Sequence, residues 1–120
     1  MPSETEAAAL LERTREFVDR ELLPFEATFL SQPFPESMPK LTELRAAART
    51  QGLFAPHLPL SLGGLGLTLQ QFARVSEVLG TTPIGHYVFN CQAPDVGNME
   101  ILHLHGTAEQ QRRFLEPLAK

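Results

Sequence analysis

The chain of 120 residues has the length of one domain, and its 42% apolar content is enough for a core. A formal net charge of −4 argues against a nucleic-acid surface, and a single cysteine, Cys91, excludes an internal disulfide and fits a reducing compartment. No run approaches the ~18 apolar residues that a membrane span needs, and the acidic start MPSETEAAALLER has the pattern of neither a secretory signal nor a transit peptide.

In chain order, the first predicted element is a long amphipathic helix from about Ser3 to Phe29. Ser3 and Glu6 have the spacing of a capping box, and Leu11, Val18, Leu22, Phe25 and Phe29 form a stripe that Leu10 and Phe17 widen. Pro24 falls inside. The stripe keeps its phase across it, which predicts a kinked continuation rather than a break. Ser31 to Pro39, with prolines at 33, 35 and 39, reads as a loop. A second helix follows from about Pro39 to Gln51, with Leu41, Leu44 and Ala48 inward, Arg45 and Arg49 near its negative end, and Gly52 ending it.

The irregular stretch GLFAPHLPLSLGGLGL runs from Gly52 to Leu67. Its glycines invite a phosphate-loop reading that fails, because Leu69 stands where a third fingerprint glycine belongs, no strand precedes it, and there is no Lys-Ser or Lys-Thr pair. The expectation is a turn that needs positive φ and close backbone packing. Thr68 and Gln71 then cap a helix that ends at Gly80, with Leu69, Phe72, Ser76 and Leu79 on one side and Val75 and Val78 widening it. Beyond it, Thr82 and Pro83 suit the start of a short helix carrying Ile84, Tyr87, Val88 and Cys91. Pro94 and Asp95 stop that helix and start another, Gly106 suits a C′ position, and Thr107 with Gln110 caps the last. No stretch alternates as a strand would. The predicted class is all-α, with about six helices.

Chemistry-bearing residues are sparse. His103 and His105, two apart on a helix, diverge by ~200° and cannot chelate one metal. His57 and His86 are isolated. Cys91 has no basic neighbour to make it a nucleophile. Arg112, Arg113 and Lys120 form a modest basic end, and the phenylalanines sit at core spacings. The exception is NCQAPDVGNM, Asn90 to Met99, which gathers Asn90, Gln92, Asp95 and Asn98 inside an apolar helical context. A ligand-facing surface and helix capping by Asp95 and Asn98 both account for it.

Three segments resemble the N-terminal part of acyl-CoA dehydrogenases: Gly52-Leu53 followed by Pro59, Gly63, Gly64 and Gly66, with Glu77 and Leu79-Gly80 after them; the ending with Gly106, Thr107, Glu109, Gln110, Leu115, Pro117 and Leu118; and NCQAPDVGNMEIL, which is similar to the branch of acyl-CoA dehydrogenase family members ten and eleven. The resemblance covers nearly the whole chain. It implies an N-terminal helical domain over residues 1–120, followed in such enzymes by a β domain and a C-terminal helical bundle. Those later domains would hold FAD and the glutamate base, so the chain alone should not be an enzyme.

The implied reaction is α,β-dehydrogenation of an acyl-CoA thioester. Tyr87, Asn90, Cys91, Gln92, Asp95 and Asn98 would set the depth and polarity of the acyl channel without transferring protons. A buried amide at Asn90 would pair with a hydroxyl on the acyl chain, in line with the hydroxylated substrates linked to that branch. An electron-transfer flavoprotein as acceptor, a homo-oligomer, and a cytoplasmic location (mitochondrial or peroxisomal in a eukaryote) are further implications. The competing readings are a stand-alone all-α interaction module and the same domain of an acyl-CoA oxidase or a flavin monooxygenase.

Overall fold

A computed structural model describes all residues from Met1 to Lys120, and every regular element in it is helical. The predicted first helix is continuous but built in three parts: α1 (Glu4–Phe17), a π-helical turn (Val18–Leu22) and α2 (Leu23–Ser31). The capping box is present. The Glu6 N–H donates to Ser3 Oγ at 3.2 Å and the Ser3 N–H to Glu6 Oε2 at 2.8 Å. That backbone bond from Ser3 holds the Glu6 carboxyl below its usual range. Pro24 is accommodated by the widened turn ending two residues before it, where the Leu23 N–H reaches back to the Val18 carbonyl. A π turn makes room at the Arg20 carbonyl, against which a proline ring would otherwise press. The same arrangement recurs near Lys120, where a second π turn (Gln111–Leu115) ends two residues before Pro117.

The expected loop from Ser31 to Pro39 is corrected. Only Gln32 and Pro33 lie outside helix, and α3 runs Phe34–Thr50. Pro35 falls in the first turn, where a missing N–H has no partner to lose, and Pro39 forfeits only the bond to the Pro35 carbonyl. Buried Ser37 ties this end down by accepting a hydrogen bond from Gln32 Nε2 at 2.9 Å. Leu41, Leu44 and Ala48 face inward as predicted. At the other end Gly52 has φ +69°, with the Leu53 N–H on the Ala48 carbonyl and the Gly52 N–H on that of Arg49, a Schellman cap.

The glycine-rich turn meets both expectations: Gly63 and Gly66 have φ of +82° and +62°, and a Cβ on Gly64 would stand 2.1 Å from the Leu58 carbonyl oxygen. Helix α4 (Leu69–Leu79) starts with the predicted Thr68–Gln71 box, but its buried face is Gln71, Val75 and Leu79, while Leu69 is 83% exposed. Gln71 is drawn inward because its Nε2 donates to the Pro2 carbonyl, at 3.2 Å, as well as to Glu4. That rotates Leu69 outward.

The predicted helix after Thr82 shrinks to one turn, α5 (Gly85–Val88), begun by Ile84 rather than Thr82 and closed by Asn90 at φ +55°. Helices α6 (Asp95–His105), α7 (Ala108–Gln110) and α8 (Glu116–Ala119) complete the chain. Gly106 is extended, with φ −72°, so its need for glycine is steric: a Cβ would lie 2.5 Å from the Leu102 carbonyl oxygen. The Thr107–Gln110 box is present.

These elements form a slab of 42 × 36 × 21 Å. α1 packs on α4, α3 on α5, and α6 on the second π turn and α8. Phe17, Val18 and Leu22 meet Leu41, Leu44, Val75, Leu79, Val88 and Phe89 in one core, with Phe17 and Phe89 edge to face at 5.4 Å between centroids. No helix is long and apolar enough to cross a membrane.

Candidate functional site

The segment from Tyr87 to Asn98 links α5 to α6, and the structure distributes its polar residues over three environments. Tyr87 is half-buried. Phe34 meets its ring edge-on at 5.9 Å, the Arg45 guanidinium lies over its face at 4.7 Å, and its hydroxyl points to Met38 Sδ at 3.9 Å. Asn90 is 1% exposed. Its Nδ2 donates to the Leu118 carbonyl at 2.9 Å and its Oδ1 accepts from Arg45 at 3.4 Å. Both polar ends of Asn90 are thus taken up inside the domain.

Cys91 is buried and Gln92 half-buried, where the segment borders a surface groove. With Phe72, Ser76, His86, Ala93 and Val96 they line an open groove of about 430 Å³. Burial pushes the Cys91 thiol up to about 12, so it stays protonated and packs as a small apolar group. His86 accepts or donates a bond to Ser76 Oγ at 2.8 Å, and desolvation lowers its pKa, which keeps the ring neutral. Gln92 Nε2 donates to Asp95 Oδ2 at 2.8 Å, whereas Gln92 Oε1 is buried without any donor. Asp95 opens α6 and serves its neighbour Gln92. Asn98 is exposed on another side of α6 and lines a different groove of about 400 Å³, with Ile101, Leu102, Phe114 and Leu118.

The six predicted residues therefore do not converge on one pocket. Cys91 and Gln92 share a groove, Asp95 orients Gln92, Asn98 stands apart, and Tyr87 and Asn90 support the segment from behind. Ser76 and His86 join the groove from positions ten apart, and Arg45 reaches Asn90 behind it across 45 residues, pairings that no local sequence pattern announces. The largest concavity, about 510 Å³, lies elsewhere, between the glycine turn and the end of α8, and carries Arg49, Glu116 and Lys120. It is no phosphate cradle of the glycine-loop kind, because the amides of Gly63, Gly64 and Gly66 are already bonded to the carbonyls of Leu60, Pro59 and Leu58.

Comparison with known proteins follows the same line. The family profile of the acyl-CoA dehydrogenase N-terminal domain matches residues 4–120. Acyl-CoA dehydrogenase family member 10 of Mus musculus is 36% identical over 91% of this chain, and family member 11 of the same species is 34% identical over 92% of it. The chain spans only 11% and 15% of those proteins. A solved structure from Mycobacterium abscessus, described as an acyl-CoA dehydrogenase, superposes on 99% of this chain with a TM-score of 0.87 at 38% identity, over 32% of its own length.

Proposed function

This chain belongs to the acyl-CoA dehydrogenase family, as its N-terminal helical domain, and on that premise we propose that it walls the acyl channel of a flavin-dependent enzyme oxidising acyl-CoA thioesters at the α and β carbons. The flavin supplies the hydride-accepting chemistry when bound. The glycine turn offers no phosphate cradle, its Gly63, Gly64 and Gly66 amides being bonded within the turn, and in this reading FAD and the catalytic base belong to further domains. What this chain contributes is binding, orientation and exclusion of water along the groove beside α6. In this reading the electron acceptor is an electron-transfer flavoprotein and the full-length protein is a homo-oligomer.

The observation that carries the proposal is Gln92 Oε1. Buried polar atoms are almost always paired, and this one, buried without a donor on a residue that lines the groove, lacks the partner that a ligand's O–H or N–H reaching into the wall would supply. The groove around it carries no charged side chain, with Phe72, Ala93 and Val96 as apolar walls and His86 neutral. An acyl chain loses nothing against such walls, whereas it would strip water from a charge in the concavity that holds Arg49, Glu116 and Lys120. Cys91 limits depth, and Asp95 holds the Gln92 amide in the groove wall. Asn90, with both ends satisfied, acts behind the wall.

The test compares the full-length flavoprotein with its Gln92→Leu variant on plain and hydroxylated acyl-CoAs of equal length. Loss of a hydrogen bond to the substrate hydroxyl should cost ~1–3 kcal/mol, roughly 5- to 150-fold in kcat/KM, on the hydroxylated substrate alone. An equal loss on both would reject a ligand-facing Gln92.

A further inference from the structure

Two concavities of the domain meet at one pair of side chains. The groove beside α6 shares Phe72 and Val96 with a second groove of about 270 Å³, floored by Leu58, Leu67 and Phe72. The helices put the two in line. On α4, Leu69, Phe72 and Ser76 follow at spacings of three and four, and on α6, Val96, Glu100 and Leu104 follow at four, so each set runs along one face of its helix. Ser76 belongs to the first groove, Leu69, Glu100 and Leu104 to the second, and Phe72 and Val96 to both. The result is a single trough walled by α4 and α6. Between Ser76 and Leu69 its α4 wall extends roughly 10 Å, from the helical rise per residue.

The second groove holds apolar surface that the domain itself does not cover. Leu69 is 83% exposed and Leu104 61%, and they stand on its opposite walls. One exposed leucine is ordinary, but two flanking an apolar floor keep a strip of hydrocarbon surface in water. His57 adds no charge there, because its ring lies against Phe72 at 5.8 Å between centroids and desolvation lowers its pKa. Glu100 and His103 are the other ionisable groups. Both are exposed, so a chain on the floor leaves them in water. A peptide segment would bring backbone N–H and C=O groups to a floor of Leu58, Leu67 and Phe72 side chains, which offer them no partner. Unbranched hydrocarbon brings none.

We infer that the second groove is the subsite for the far end of long, unbranched acyl chains: the chain leaves the first groove across Phe72 and Val96 and comes to lie between Leu69 and Leu104. This rests on the groove beside α6 being the acyl channel. It makes Leu69 and Leu104 the residues that set preference for chain length.

In the full-length flavoprotein, kcat/KM would be measured on hexanoyl-CoA and hexadecanoyl-CoA for wild type, Leu69→Glu, Leu104→Glu and Ala93→Trp, with bound flavin and Tm recorded for each. A carboxylate in the second groove forfeits the contact of a few methylenes, each worth about fourfold. Leu69→Glu and Leu104→Glu should therefore each lower the hexadecanoyl-to-hexanoyl ratio by about tenfold or more, with flavin content at the wild-type level. Ala93 lines only the first groove, and Ala93→Trp should lower kcat/KM on both substrates. An unchanged ratio in either glutamate variant, or a loss equal on both substrates or following flavin loss, overturns the inference; if one of the two does not fold, the other decides. The first groove is tested separately. If Ala93→Trp lowers both rates and the glutamate variants leave the ratio unchanged, only the second subsite fails, as it would if another domain filled that groove. If Ala93→Trp changes neither rate, the channel reading fails and takes this inference with it.

Discussion

Asn90 offers a perturbation whose parts can be separated. Replacing it with alanine removes the 2.9 Å bond from Nδ2 to the Leu118 carbonyl and the weaker 3.4 Å contact with Arg45, at a site 1% exposed. Leaving a buried carbonyl unpaired costs ~1–3 kcal/mol. The backbone adds to this, because φ is +55°, and alanine bears the left-handed conformation worse than asparagine by about 1 kcal/mol. Asn90→Ala should therefore cost about 2–4 kcal/mol. Asn90→Gly loses the same bonds without the backbone strain, though its unfolded chain is freer, and should come out about 1 kcal/mol milder than alanine. Urea unfolding of the 120-residue chain, followed by far-UV ellipticity, reads both numbers as midpoint shifts at constant m. Equal midpoints for Ala and Gly would refute the backbone part. Two variants within ~0.5 kcal/mol of wild type would refute the internal bonding itself and return Asn90 to the groove as a ligand-facing amide.

Three further outcomes follow from the packing. Gly64→Ala places a Cβ 2.1 Å from the Leu58 carbonyl oxygen and should cost ~3 kcal/mol or more, while Gly63→Ala meets no atom within 4 Å and pays only for its φ of +82°, ~1–2 kcal/mol; a reversed order in urea melts would reject the close approach. Pro24→Ala should preserve or raise helical ellipticity, since the helix already runs through this position; a loss of ellipticity at unchanged stability would argue that the proline organises the π turn rather than being tolerated by it. His57 and His86 both have folded pKa values lowered by desolvation from 6.5. Below that pH the unfolded chain binds protons that the folded chain refuses, so this stability is present above 6.5 and is lost as pH falls through the folded values. Urea midpoints should drop on acidification through this window, and less so in His86→Gln; midpoints that rise would contradict the sign.

Local chemistry was the legible part of the sequence. The Ser3, Thr68 and Thr107 capping boxes, the turn at Gly52 and the glycines at 63–66 are each determined within a few residues, and each stands where the pattern puts it. The first helix runs through Pro24, but its fully buried residues, Phe17, Val18 and Leu22, all precede the proline, while Leu11, Phe25 and Phe29 of the predicted stripe pack against the core only half-buried. What failed depends on distant contacts. Leu69 faces solvent because Gln71 is claimed by Pro2, 69 residues away. The prolines of α3 read as a loop because nothing local shows that Ser37, Leu41 and Leu44 will be held against a core. The polar cluster at 90–98 stands out in the sequence, but which amide is satisfied internally depends on Arg45 and Leu118, 45 and 28 residues away. Sequence spacing could mark the segment. It could not say which of its side chains face a ligand.

The central claim is that an acyl chain lies in the groove formed by Phe72, Ser76, His86, Cys91, Gln92, Ala93 and Val96. Photolysis of the full-length flavoprotein with an acyl-CoA carrying a diazirine on its acyl chain, followed by peptide mapping, tests it most directly. The account predicts label on α4 at Phe72 to Ser76 and on the segment from Cys91 to Val96, suppressed by unlabelled substrate. Label confined to the Asn98–Leu118 groove, or found only outside residues 1–120, would contradict it.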